Sequence, residues 1–447
     1  MAWRLIRSER VVLPTGMQPA TIRVENGRIA GVTPGPSKDP VDIDAKGAVI
    51  MPGLVDSHVH INDPGRADWE GFDTATQSAA AGGVTTLVDM PLNSIPSTTT
   101  VAALEAKRGA AAGRCHVDVG FWGGIVPGNV RDIEPLARAG VLGFKCFLSP
   151  SGVGEFEHVS EADLLDAMPV VAATGLPLLV HAELPALLRA PDVRADPTNY
   201  STWLDSRPGT AEQAAIDLMI DLAAKTGARV HIVHLANADA LSSIGGARRR
   251  GLPITVETCP HYLTFAAEDV AGGDTALKCA PPIREGDHRE RLWDALKHGH
   301  IDLIATDHSP APGKLKHLED GNFLAAWGGI ASLQITLPIV WDGAVKRRIP
   351  IERLAEWMSA APARLAGLSG RKGAIAPGCD ADLVIFDPDR EMIVDASRLY
   401  HHHPVTPYDG ARLRGVVMAT MLSGEIVFDH GEVIGEPLGR EILRGAR

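Results

Sequence analysis

The stretch Leu178-Leu179-Val180-His181-Ala182-Glu183 is a short apolar run that closes on polar residues. A helical pattern follows over 211–225. A second short run then reads Arg229-Val230-His231-Ile232-Val233-His234-Leu235. Strand, helix and strand at that spacing predict a βα unit around a parallel sheet. The same grammar continues in both directions. Predicted strands fall at 53–61, 84–90, 117–122, 142–148, 178–183, 229–235, 254–259 and 303–307, with helical stretches such as 70–81, 161–173 and 284–297 between them. Eight strands over roughly 260 residues match a TIM-like (β/α)8 barrel in count and length. A doubly wound sheet is the alternative, but no Gly-x-Gly-x-x-Gly follows any of these strands to hold a nucleotide.

Towards the ends of the chain the period changes. Residues 20–32 alternate apolar and polar around Asn26-Gly27, a strong signal for a tight hairpin. Short β-rich runs recur at 383–386, 416–422 and 425–428, with turns at Ser423-Gly424 and His430-Gly431. Each end holds too few strands to be stable alone. The expected organisation is therefore a small β-sandwich built from both termini, 1–50 and 371–447, around a barrel at 51–370.

Composition agrees with a large globular core. Of 447 residues, 45% are hydrophobic and 22% charged, too apolar for disorder. Acidic residues outnumber basic ones 55 to 43, for a formal charge of −12. The longest basic run is Arg248 to Arg250, so nucleic acid and anionic membrane are excluded as expected partners. Five cysteines form no CxxC pair, which argues for a reducing compartment. Residues 1–14 lack the continuous apolar run of a signal peptide. The most apolar stretch, 169–184, is cut by Gly175, Pro177 and His181. A cytoplasmic location is expected.

Chemistry collects at the carboxyl ends of barrel strands. The first predicted strand ends Val55-Asp56-Ser57-His58-Val59-His60, and residues two apart on a strand share a face. Both imidazoles can then converge on one ion. The fourth reads Val141-Leu142-Gly143-Phe144-Lys145-Cys146-Phe147-Leu148. A lysine in so apolar a run is costly to bury without a partner. It is a snorkelling residue, a depressed amine of the Schiff-base kind, or a lysine carboxylated by carbon dioxide. His181, His234 and Asp307 close three further strands. His231 and His308 are out of phase with their strand ends and are left out of the ligand set; His261 reads as structural, and His401 to His403 as a surface turn. Four imidazoles, one carboxylate and one carbamate suit a pair of borderline divalent ions such as zinc, with manganese, cobalt or iron as alternatives.

At these residues the sequence resembles the cyclic amidohydrolases of the amidohydrolase superfamily, which include dihydroorotases, hydantoinases (dihydropyrimidinases) and allantoinases. The resemblance runs from Pro52-Gly53-Leu54-Val55-Asp56-Ser57-His58-Val59-His60 to Gly378-Cys379-Asp380-Ala381-Asp382-Leu383-Val384. It implies a barrel with a β-sandwich, two metal ions and a carboxylated Lys145. By position His58 and His60 hold one ion, His181 and His234 the other, Lys145 as N6-carboxylysine bridges them, and Asp307 contacts the first and acts as general base and acid. The resemblance also implies a homotetramer and a catalytic rather than scaffolding role, since the whole ligand set is present.

Departures from the family pattern narrow the substrate. Where dihydroorotases place a carboxylate-binding arginine, this chain has Asn62, with Arg66 nearby. Where hydantoinases place an oxyanion-supporting tyrosine, it has Pro150. Segments 60–66, 90–98, 143–152, 307–312 and 327–334 are similar to the signatures of the allantoinase branch. The resemblance thus implies hydrolysis of allantoin to allantoate, with a hydantoinase-type activity as the alternative. It assigns substrate contacts to Asn62, Asn93 and the main chain near Ala280 and Gly328, groups suited to a neutral ring rich in donors and acceptors.

Overall fold

The computed structural model describes residues 3–37, 39–190 and 194–444. Its centre is a ring of parallel strands. Six and three strands form two hydrogen-bonded sheets, and Asp118–Phe121 with Gly123–Gly124 is one strand interrupted at Trp122, giving eight in all. Backbone hydrogen bonds cross both seams between the sheets. Leu142 N donates to Phe121 O at 2.9 Å and Gly123 N to Gly143 O at 2.9 Å. At the other seam His60 N donates to His308 O at 2.8 Å, beside a parallel bridge between Val59 and His308.

The barrel helices follow the sequence pattern closely: Phe72–Ala81, Glu161–Thr174, Gly209–Thr226 and Gly286–Lys297 occupy the stretches expected to be helical. Local chemistry sets their ends. Ser160 and Asp163 form a capping box at the start of Glu161–Thr174, and Gly175, at φ 68°, ends it in the left-handed region. Two strands are shorter than expected. Arg229–Ile232 and Leu303–Ile304 stop before His234 and Asp307, which lie at φ 41° and 47°. The chain leaves the sheet at these two residues, and the strained turn aims their side chains into the barrel mouth.

Two apolar layers fill the barrel. Strand and helix faces share the larger one, and Val55, Val88, Trp122, Leu142, Leu179 and Leu303 form the inner plug. Ile442, fully buried, joins this plug from the carboxyl-terminal segment, whose Glu441 bridges to Val119.

The chain termini meet in a single sheet of nine strands. Its long strands Trp3–Leu13, Gly16–Glu25, Leu383–Ile393 and Arg412–Leu422 are tied through Val49–Pro52, which pairs with both ends of the chain. Bulges interrupt the pairing at Ser8/Val11 and Asp387/Glu391, and bulges bend a sheet. The edge strand Arg28–Pro34 is bonded back to the segment before Leu383, with Ile29 N donating to Cys379 O at 2.9 Å. Ile6, Ile22, Ile50, Leu383 and Met421 then share one core. The sandwich is one sheet curled over itself.

Lys372 fastens sheet to barrel. Its ammonium lies 2.6 Å from Asp118 on a barrel strand and 3.0 Å from Asp380, and it donates to Asp382 at the mouth of the terminal sheet. All four side chains are buried. No helix is long and apolar enough to cross a membrane, among the described residues. One expectation changes: His401 is buried against His308, with ring centroids 4.9 Å apart, rather than on a surface turn. Glu70 and the Gln334 main chain meet that histidine pair and draw it inward.

Candidate metal centre and substrate cavity

Five of the six ligand-type side chains converge at the carboxyl ends of the barrel strands. Asp307 Oδ1 lies 3.1 Å from His58 Nε2 and 3.2 Å from His60 Nε2. His181 Nδ1 lies 3.0 Å from His234 Nε2, and the His58 and His234 ring centroids are 5.4 Å apart. Donor atoms of His58, His234 and Asp307 all fall within 4.8 Å of one another, the spacing of ligands around a single ion.

Buried carboxylates behind the imidazoles fix which nitrogen faces the site. His58 Nδ1 donates to Glu257 Oε1 at 2.5 Å, leaving Nε2 towards Asp307. His181 Nε2 donates to Glu183 Oε2 at 2.7 Å, leaving Nδ1 towards His234. Arg207 holds Glu183 in turn, with Nε 3.0 Å from Oε1. Carboxylate support of this kind orients metal-binding histidines and raises their basicity. Glu257 and Glu183 were not singled out from the sequence. The signal was present as a carboxylate inside or directly after an apolar strand, Ile254–Thr258 and Pro177–His181.

Lys145 lies on strand Phe144–Phe147, fully buried, and its Nζ has no hydrogen-bond partner among the described residues. It lies over the Phe147 ring, 4.8 Å from the centroid. Burial lowers its ammonium to about 8, against the pull of Asp307 and Glu257. An orphaned, easily deprotonated amine that faces His181 and His234 does not fit a structural ion pair. It does fit a lysine that takes up carbon dioxide. Burial would lower His58, but Asp307 and Glu257 raise it to about 9. Burial would raise Asp307, but His58, His60 and His234 hold it well below the usual carboxylate range.

The site opens into a cavity of about 310 Å3. His58, His60, His181, His234 and Asp307 form its floor, and Asn93, Ala280 and Gly328 line it, as does Pro150. Asn62 is buried at φ 67° with both amide atoms unpartnered among the described residues, but it is not part of the cavity wall. Arg66 is committed elsewhere: it donates to Asn93 O at 2.6 Å and pairs with Glu155. His261 is buried outside the cavity wall with both ring nitrogens unpartnered, and His231 donates from Nε2 to Glu257 Oε2 at 2.9 Å. Trp203, Arg207, Lys278 and Trp327 also line it; of these only Trp327 lay in a segment picked out from the sequence, 327–334, and without a role.

The amidohydrolase family model matches residues 49–427. The chain belongs to the amidohydrolase family. This amidohydrolase is 49% identical over 443 residues to an allantoinase from Streptomyces avermitilis, covering 98% of each chain. It is 45% identical to an allantoinase from Arabidopsis thaliana, covering 97% of this chain and 90% of the other. Among solved structures it is similar to an L-hydantoinase (dihydropyrimidinase) from Arthrobacter aurescens, with a TM-score of 0.94, 33% identity, and 98% and 99% of the two chains covered. Family membership makes the chain a cyclic amidohydrolase acting on a small molecule and implies a divalent metal centre. The imidazole and carboxylate donors at the barrel mouth fit that requirement.

Proposed function

We propose that this amidohydrolase opens the hydantoin ring of allantoin to give allantoate. Full-length similarity to allantoinases from a bacterium and a plant carries this reading. The cavity supports it. Arg66 is tied to Glu155 and the wall residue Arg207 to Glu183, so both guanidiniums are already engaged and neither is left for the carboxylate of a dihydroorotate. Pro150 in the wall offers no hydroxyl where the hydantoinase pattern has tyrosine.

His58, His60, His181, His234 and Asp307 would hold two divalent ions, and a carboxylated Lys145 would lie between them. The mixed nitrogen and oxygen donors favour zinc among the borderline metals. When bound, the ions supply Lewis-acid activation of water and of the ring carbonyl. Lys145 would first lose a proton to become a neutral amine, then attack carbon dioxide, forming a nitrogen–carbon bond and releasing a second proton, so that the cation becomes an anion with two oxygens. Asp307, kept ionised by His58 and His60, accepts the proton of the attacking water and passes it to the departing ring nitrogen. Main-chain groups at Ala280 and Gly328 orient the ring amide from the cavity wall.

The zinc-loaded chain should convert allantoin to allantoate, and a chelator should stop it. Loaded protein that leaves allantoin intact would overturn the reading.

A further inference from the structure

Two buried lysines tie together one wall of the cavity. Lys316 donates to Gly329 O at 2.7 Å, Trp327 O at 3.1 Å and Lys278 O at 3.2 Å. Lys278 donates to Ala326 O at 2.5 Å and Leu324 O at 3.3 Å. Both are almost fully buried, and their hydrogen bonds go to main-chain carbonyls, with no carboxylate in ion-pair contact among the described residues. A cation buried against neutral carbonyls alone is unfavourable unless a further acceptor satisfies it.

The two lysines differ in one respect. Lys316 spends all three of its N–H groups on the main chain, whereas Lys278 spends two and lines the cavity. Lys278 is held there by Trp203, whose ring face lies 4.2 Å from Nζ and whose indole N–H donates to Cys279 O at 2.9 Å. Ala326, which accepts from Lys278, precedes Trp327, and the indole N–H of Trp327 has no partner among the described residues. Trp327 lines the same cavity. Lys278 thus keeps one N–H beyond the carbonyls, beside the Trp203 ring, and the enclosed Trp327 N–H is left without an acceptor. Asn93, also lining the cavity, carries an unpartnered amide oxygen.

We propose that Lys278, together with the Trp327 indole N–H, is the specificity-determining donor pair that reads the carbonyl of a ureido arm on the substrate ring. The inference rests on the allantoin reading and deepens it. A bare hydantoin ring spends its polar groups at the metal centre and at the Ala280 and Gly328 main chain. An exocyclic urea adds one strong acceptor and a terminal amide NH2. The acceptor takes the Lys278 and Trp327 hydrogens, and the amide NH2 has Asn93 Oδ1. The positive charge of Lys278 strengthens its bond to a neutral carbonyl. Burial and the nearby Arg207 hold the Lys278 ammonium at about 8, so it carries charge at neutral pH.

The test compares allantoin with plain hydantoin, which shares the ring and lacks the arm. Wild type, Lys278→Met and Trp327→Phe are each loaded with zinc and assayed for metal content. Their kcat/KM for allantoin is measured, along with inhibition of that reaction by hydantoin. Lys278→Met should lower kcat/KM for allantoin at least about tenfold, and Trp327→Phe several-fold. The metal content and hydantoin inhibition constant of both variants should stay within about twofold of wild type. A variant that keeps allantoin turnover, or that weakens hydantoin and allantoin alike, overturns the inference. Trp327→Phe removes the indole N–H and part of the ring but keeps an aromatic side chain in the wall, and hydantoin inhibition reports the change of shape, so it decides the matter if Lys278→Met does not fold. A wild type inactive on allantoin overturns the functional reading itself, a separate and recognisable result.

Discussion

Glu257 holds two histidines at once: Oε1 lies 2.5 Å from His58 Nδ1, and Oε2 lies 2.9 Å from His231 Nε2. Burial would raise the Glu257 carboxyl, but these two histidines hold it down at about 2. It therefore stays ionised and fixes His58 with Nε2 facing the site. Glu257→Gln keeps the shape but loses the charge. Metal affinity should fall about 10- to 100-fold, read by competition with a chelator while the circular dichroism spectrum is unchanged. Unaltered affinity would mean that Glu257 only packs the barrel.

Lys145→Ala addresses the carbamate. The variant should fold, lose bound metal and lose nearly all turnover, because the group it removes belongs to the site. A short carboxylic acid added to the variant should restore part of the activity. Near-normal activity with two bound ions would show that the lysine has no bridging role.

Lys372 is the pin between barrel and terminal sheet. Lys372→Met would leave Asp118, Asp380 and Asp382 buried with their main cation gone. The loss should be about 3–5 kcal/mol, measured as a lowered urea midpoint at pH 7. Because the pin lies in a different cluster from the metal ligands, metal content per folded chain should hold.

His261 gives a pH signature. Burial lowers its imidazole from 6.5 to about 4. Below pH 6.5 the unfolded chain takes up a proton that the folded chain refuses until about pH 4, so stability falls as pH drops through that window. His261→Leu removes this contribution. Between pH 7 and 5 the urea midpoint of wild type should fall more steeply than that of the variant. Parallel slopes would place the acid sensitivity in other groups.

The fold was legible because barrel strands announce themselves as apolar runs of even spacing, and the site because ligands close those runs. His58, His60, His181, His234 and Asp307 each interrupt hydrophobic sequence at a strand end, and Lys145 sits inside one. Their supports were harder to see. Glu257 is 199 residues from His58, and nothing local in Ile254–Thr258 says that its carboxylate reaches across the barrel. Lys278 bonds carbonyls, which every residue carries, so no pairing of charges in the sequence points to Ala326. The exact ends of strands 229–232 and 303–304 were also hidden, because the left-handed turns at His234 and Asp307 serve the site against the local preference of the chain.

Substrate preference tests the central claim most directly. The metal-loaded chain should be given allantoin, dihydrouracil and dihydroorotate under one set of conditions. The account predicts that kcat/KM for allantoin exceeds each of the others at least about tenfold, equivalent to about 1.4 kcal/mol of transition-state preference. Equal or reversed preference would contradict it and would mean that Pro150 and the engaged Arg66 do not set the substrate.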